Sequence, residues 1–221
     1  MTVTDLPATP TVSLSAAMRE GSMAEHQEAE DSRFMTELLG GRVNETGYAE
    51  YLLRLRGVYE VMETTLGARL DDPMVAAVHD SALERLDAID ADLAHWAPGG
   101  TRTVDSPAAT AYRERVSAAG EWGGLLVAHH YTRYLGDLSG GQAIGRIIDR
   151  TFELDGAGTA FYTFPEIPKP KTYKDAYRAR LDGLGLSPEE VGRVVDEVKV
   201  AFRLNQALFT ELGQNIDGYR R

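Results

Sequence analysis

Two places in this chain combine residue types that could do chemistry. The first is Tyr131-Thr-Arg-Tyr-Leu-Gly-Asp-Leu-Ser-Gly-Gly-Gln142. It sets Arg133 and Asp137 four residues apart, so on a helix the two share a face and can pair. Around them stand Gly136, Gly140 and Gly141. Each glycine in a helix interior costs roughly 1 kcal/mol relative to alanine, so the run needs a reason. A helix kinked and thinned on one face supplies one, because backbone without Cβ atoms can lie close against a flat ligand, with Asp137 as a polar group on an apolar wall. A glycine-rich helix–loop–helix turn is the plainer reading. Nucleotide cradling is disfavoured, since the stretch lacks a Gly-Lys-Ser/Thr ending and follows no strand pattern. The second place is His26, which shares a helical stripe with Arg19, Met23 and Glu30. Neutral imidazole is a common metal ligand, and Glu30, one turn later, could accept the other ring N–H and fix the ring. From spacing alone, His26 also fits a surface or core histidine, Glu30 an exposed carboxylate, and Arg133–Asp137 a surface ion pair. His129 and His130 are adjacent and so point about 100° apart on a helix, which does not suit a metal pair. At least one of them reads as core, and His79 and His95 lie on surface-like patterns.

Composition narrows the choices. The chain has 221 residues, 43% of them hydrophobic, enough for one domain with a real core. Its formal net charge of −11 argues against nucleic acid or an anionic membrane surface as the main partner. No apolar run is long enough to span a bilayer. Residues 1–11 have no basic start or apolar centre, so they read as a disordered tail, not a secretory signal. Residues 214–221 read as a second tail without a hydrophobic anchor, and a cytoplasmic location is compatible. Cysteine is absent, which removes disulfides, thiolate ligands, iron–sulfur ligation and cysteine nucleophiles together. Any metal or heme would have to use His, Met, Tyr or carboxylates. Lys169, Lys171, Lys174, Arg178 and Arg180 form the densest basic run of an acidic protein.

The elements that must position these residues are helices throughout. Periodicity predicts a first helix over 12–31, a short one over 34–39 stopped by Gly40-Gly41, and a long one over 46–70. The last has Tyr51, Leu52, Leu55, Tyr59, Met62 and Leu66 as its apolar spine. Asp71-Asp72-Pro73 starts another element, with proline at an early helical position, and Ser106-Pro107 reads as an N-cap followed by proline at the first helical position. A further helix is expected over 81–96. The segment 124–152 reads as one helix carrying the glycine run. Residues 156–171 are irregular, and helices follow over 172–184 and from Ser187 to about Leu212. No strand pattern competes, so the class is all-α: a single-domain multi-helix bundle over 12–213.

The stretch Ala128 to Gln142 resembles the distal-helix signature of heme oxygenases, and the resemblance extends from about Leu14 to about Leu212. It implies a heme oxygenase-like bundle that cleaves heme to biliverdin, carbon monoxide and ferrous iron with molecular oxygen. Heme b would be both substrate and prosthetic group, with electrons from an external donor, a ferredoxin or an NAD(P)H reductase. Ala24-Glu-His-Gln-Glu-Ala-Glu30 is similar to the family's proximal helix, with His26 as the iron ligand. Asp137 would anchor a water that donates to the oxygen, with Arg133 holding Asp137 and Tyr59 joining through water. Gly136, Gly140 and Gly141 would form the close-approach face. Lys174, Arg178 and Arg19 would hold the heme propionates, aided by Tyr131, while Phe202, Asn205 and Phe209 match pocket-lining positions. Met23 departs from relatives that carry a second lysine on that helix, so clamping there would be weaker. Lys169 and Lys171 would be free to dock an acidic electron-donor protein. The chain would work as a monomer, without nucleic acid or membrane. A heme carrier or sensor without turnover is the alternative; it needs His26 but neither Asp137 nor the glycines. A thiaminase-like enzyme on a related bundle would bind no heme, and the lack of cysteine counts against its thiol version.

Overall fold

The computed structural model describes residues 13–221, so the expected tail over 1–11 lies outside the described residues. Eleven α-helices follow among them: α1 (Leu14–Gly21), α2 (Met23–Glu30), α3 (Arg33–Leu39), α4 (Glu45–Gly67), α5 (Pro73–Val78), α6 (Leu86–Trp96), α7 (Pro107–Ala119), α8 (Gly123–His130), α9 (Gln142–Phe152), α10 (Pro170–Asp182) and α11 (Pro188–Gln214). Among the described residues there is no strand, only one isolated bridge between Val43 and Arg220. The fold is all-α.

Local chemistry sets where these helices begin. The Asp72 side chain accepts from the backbone N–H of Met74, and Ser106 accepts from Ala109, each just before a proline at the first helical position. Ser187 and Glu190 form a reciprocal capping box at the head of α11. That long helix is the centre of the bundle and packs on α1, α2, α3, α4, α7 and α8. Its Val194, Val198, Ala201, Leu208 and Leu212 are fully buried. Opposite them, α4 buries Leu52, Leu55, Val58, Tyr59 and Met62.

Three expectations need correction. The helix foreseen over 12–31 is two helices, α1 and α2, meeting at Ser22. The Ser22 hydroxyl donates to the carbonyl of Met18 at 2.8 Å, a side chain competing with the backbone at the break. The helix foreseen over 81–96 is a short 3₁₀ turn, Ser81–Leu83, followed by α6. Glu63 of α4 resets the start of α6, since one of its oxygens accepts from the backbone N–H of Arg85 at 2.6 Å and of Leu86 at 3.1 Å. Finally, residues 215–220 are docked, not a free tail. Ile216 and Tyr219 are buried, the Tyr219 carbonyl accepts from Asn44 N–H at 2.7 Å, and a Cβ on Gly47 would come 2.6 Å from that of Tyr219.

Between α8 and α9 the helix does not stop. It continues through two wide-turned π segments, Tyr131–Leu135 and Asp137–Gly141, joined at Gly136. The helix–loop–helix reading is therefore replaced by one continuous helical path, widened where the glycines fall. Such π turns disturb the regular hydrogen-bond ladder and concentrate at functional sites.

Candidate functional site

The widened segment forms one wall of a cavity of about 580 Å³. His26, Met23 and Glu30 of α2 line the opposite wall, and Phe202, Asn205 and Phe209 of α11 lie between. A Cβ built on Gly136 or Gly140 meets no other atom within 4 Å, so the backbone there faces open space. Gly136 has an ordinary helical φ of −60°, so no dihedral requirement selects a glycine there; what its missing Cβ leaves is room in the cavity. Gly141 differs from the expectation of a uniform bare face. It lines the cavity, but a Cβ there would sit 3.2 Å from the Tyr162 ring.

Asp137 is the buried centre of a closed polar network. Arg133 donates from Nη2 to one carboxylate oxygen at 3.3 Å, and the Tyr59 hydroxyl donates directly to the other. Tyr59 therefore joins without an intervening water, contrary to the sequence-based expectation; its ring is buried behind the wall. Arg133 also donates from Nε to the Tyr59 hydroxyl at 3.1 Å and from Nη1 to Asn205 Oδ1 at 2.7 Å. Asn205 Nδ2 in turn donates to the Ala201 carbonyl at 3.0 Å. Burial pushes the Asp137 carboxyl above the ordinary carboxylate range, and the charge of Arg133 and the Tyr59 bond work against that rise. Burial likewise disfavours the Arg133 cation, but Tyr59 and Asp137 more than offset it. The i,i+4 pair is thus a desolvated one, held on three sides.

Across the cavity the chemistry is open. The His26 side chain is 53% exposed, with Nδ1 3.7 Å from a Glu30 oxygen and the ring edge-on to Phe202 at 5.3 Å between centroids. Glu30 and Phe202 bracket the ring and leave Nε2 as the nitrogen away from the carboxylate. No cluster of three or more His, Cys, Asp or Glu suited to a metal exists among the described residues. At the mouth, Arg19, Tyr131 and Arg178 line the cavity. Lys174 does not line it; its Nζ donates to Ser139 Oγ at 2.8 Å, tying α10 to the second π segment. Partial burial lowers the Lys174 pKa, and Arg178 adds to this. Arg178 pairs with Asp175 at 3.1 Å. Arg180 is turned away, donating to the Ala77 carbonyl at 2.7 Å and lying over Tyr173 and Tyr177, while Lys169 and Lys171 are exposed.

Both adjacent histidines are core. His129 Nε2 lies 2.7 Å from Glu197, and His130 Nδ1 lies 2.8 Å from the Tyr177 hydroxyl. His95 is exposed and His79 half-buried. Sequence reasoning missed Met35, Tyr51, Ser139 and Tyr162 as cavity-lining residues. Ser139 stood within the motif. Tyr51 was read only as part of an apolar spine, and nothing in the irregular segment singled out Tyr162.

Residues 12–211 match the family model described as Heme oxygenase. The chain is 37% identical over 208 residues to the heme oxygenase of Porphyra purpurea, covering 92% of this chain and 88% of that protein. It is 36% identical to heme oxygenase 1 of Synechocystis, covering 93% and 87%. Among solved structures it is similar to heme oxygenase-1 from Synechocystis in complex with heme, with a TM-score of 0.89, 35% identity, and coverage of 94% of this chain and 95% of that one. A heme oxygenase from Leptospira interrogans superposes with a TM-score of 0.87 at 34% identity, covering 90% of this chain and 100% of that one. No helix among the described residues is long and apolar enough to cross a membrane.

Proposed function

Since this chain belongs to the heme oxygenase family, we propose that it binds heme b as substrate and prosthetic group and opens its ring, yielding biliverdin, carbon monoxide and ferrous iron. The carrying observation is the cavity itself, with one imidazole on one wall and Cβ-free backbone facing open space on the other. A lone histidine suits a metal that brings its own planar ligand set, and the bare face suits a flat ring.

Heme, when bound, supplies the iron that takes up oxygen and the ring carbon that is oxidised. The residues supply position and protons. His26 ligates the iron, with Glu30 fixing the imidazole through its far N–H and Phe202 bracing its plane. Gly136 and Gly140 would leave room for the ring, because a Cβ at either would project into the open space of the cavity. Gly141 lets the widened turn rest on Tyr162. Asp137 would anchor a water, and that water would be the proton donor on this side of the cavity, since the carboxylate in its charged form has no proton to give. Arg133, Tyr59 and Asn205 keep that carboxylate from swinging into the ring. Arg19, Arg178 and Tyr131 meet the propionates at the mouth, and Lys174 reaches one by exchanging its bond to Ser139. Exposed Lys169 and Lys171 offer opposite charge to an acidic electron donor, a ferredoxin or a reductase.

The test is aerobic turnover of the purified heme complex with ascorbate or a reductase. Loss of the Soret band with growth of biliverdin absorption is the expected result. A heme that binds with its ring left whole under air and reductant would instead mark a carrier or sensor.

A further inference from the structure

Methionine sulfur is the one oxidisable sulfur this cysteine-free chain possesses. The described methionines differ sharply in exposure. Met18 and Met62 are fully buried, Met35 is 7% exposed and Met74 is half-buried, whereas Met23 is 65% exposed. Among the described residues no other large hydrophobic side chain is as exposed. Met23 is the first residue of α2, a helix that buries only Ala29, so its side chain anchors nothing in the bundle. It nevertheless lines the cavity, on the wall that carries Arg19 and His26. Met23 and His26 stand three residues apart on one helix, so their side chains are neighbours on one face. A thioether is soft and adaptable and packs well against irregular apolar surface. Here the protein offers it little to pack against, and the cavity is where a covering surface would arrive.

We propose that Met23 is an oxidation site gated by occupancy of the cavity: hydrogen peroxide converts it to the sulfoxide while the cavity is empty, a bound flat ring shields it, and the sulfoxide weakens later binding of such a ring. In this step the thioether sulfur bonds to one peroxide oxygen as the O–O bond breaks. Sulfur is oxidised by two electrons, the peroxide is reduced, and the second oxygen leaves with both protons as water. The product is a polar, chiral side chain in place of an apolar one, and it is reversible by sulfoxide reductases. On the cavity wall it would set an S–O dipole where a flat ring needs apolar contact. The shielding rests on the proposed function, in which a ring ligated by His26 covers the residue one helical turn away. The oxidation of the empty protein does not depend on that reading.

The heme-free full chain, and the same chain saturated with gallium(III) protoporphyrin as a flat ring that does not turn over, are each treated with hydrogen peroxide. Mass spectrometry of the methionine peptides follows the gain of one oxygen with time. In the empty chain Met23 should be oxidised ahead of Met74 and well ahead of Met18, Met35 and Met62. Met35 is the internal control, because it lines the same cavity but is buried. In the loaded chain Met23 should slow toward the buried methionines, while Met74, which does not line the cavity, keeps its rate. Oxidised wild type should then bind the porphyrin with a Kd raised about three- to tenfold, as expected for losing part of one apolar side chain's contact. Untreated Met23→Gln should show a similar rise, and Met23→Leu should show no change on peroxide treatment. Met23 oxidised no faster than Met35, or a Kd that stays the same after Met23 is oxidised, overturns the proposal. A chain that takes up no porphyrin at all brings down the proposed function together with the shielding. A chain that takes it up and leaves Met23 as reactive as before sinks this inference alone.

Discussion

Arg133 and Asp137 each expose 8% of their side chains, whereas His26 and Glu30, across the same cavity, expose 53% and 55%. The distal wall satisfies its charges internally before any ligand arrives. The proximal helix α2 buries only Ala29 and keeps its imidazole in reach of solvent. The difference teaches a division of labour. On the proposed function, preorganised charge lies on the wall that would direct protons, because a rigid, desolvated carboxylate needs no rearrangement at the moment of reaction. On the proposed function, the wall that ligates would be completed by the ring, and part of the ligand's binding energy would go into covering α2.

The largest effect that would break this contrast comes from Asp137→Ala. It leaves the Arg133 guanidinium buried without its carboxylate, and should destabilise the heme-free protein by about 3–5 kcal/mol, read from urea unfolding, while biliverdin yield falls. A loss below 1 kcal/mol would mean that the distal network is not a closed unit. Next comes ligand linkage. Hemin at a hundredfold excess over its Kd should add about 2.7 kcal/mol to stability, with new amide-exchange protection concentrated in α2. In His26→Ala the heme-free protein should unfold within about 0.5 kcal/mol of wild type, as expected for an exposed position, yet the axial imidazole signature in the ferric spectrum should vanish. Protection gained mainly around Asp137 would reverse the roles assigned to the two walls.

The smallest effect sharpens the comparison through His130, at the end of α8 leading into the distal wall. Burial lowers its pKa from 6.5 to about 3. The native state then holds fewer protons than the unfolded chain between those values. Stability from this group is complete above pH 6.5 and drains away as pH falls toward 3. The slope should approach about 1.4 kcal/mol per pH unit within that window. His130→Gln should flatten it, as shown by urea midpoints at pH 7 and pH 5.

Much of this contrast could be read from the residues, and the exceptions have physical reasons. Asp72-Pro73, Ser106-Pro107 and Ser187 mark helix starts because capping is local, so the sequence suffices to place them. Gly136 and Gly140 announced a bare face because glycine in a helix interior needs a justification. The breaks at Ser22 and before Leu86 were hidden, since one depends on a serine turning onto its own backbone and the other on Glu63 arriving from a distant helix. Tyr51 and Tyr59 both belong to the apolar spine of α4. Only the tertiary neighbours distinguish a hydroxyl bonded to Asp137 from a phenol that lines the cavity. Lys174 and Arg178 sit one turn apart, yet Ser139 holds the first outside the cavity wall while the second lines it.

The two wide turns at Tyr131–Leu135 and Asp137–Gly141 also bear on how this segment tolerates change of length. Losing one residue from either wide turn lets its i→i+5 bonds close as ordinary i→i+4 bonds, with the helix beyond it kept near its present orientation. Ile148 would then stay in the interior and Gly145 beside Tyr162, while the cavity wall itself would narrow. A deletion here therefore changes the width of the wall and not the register of the helix that follows.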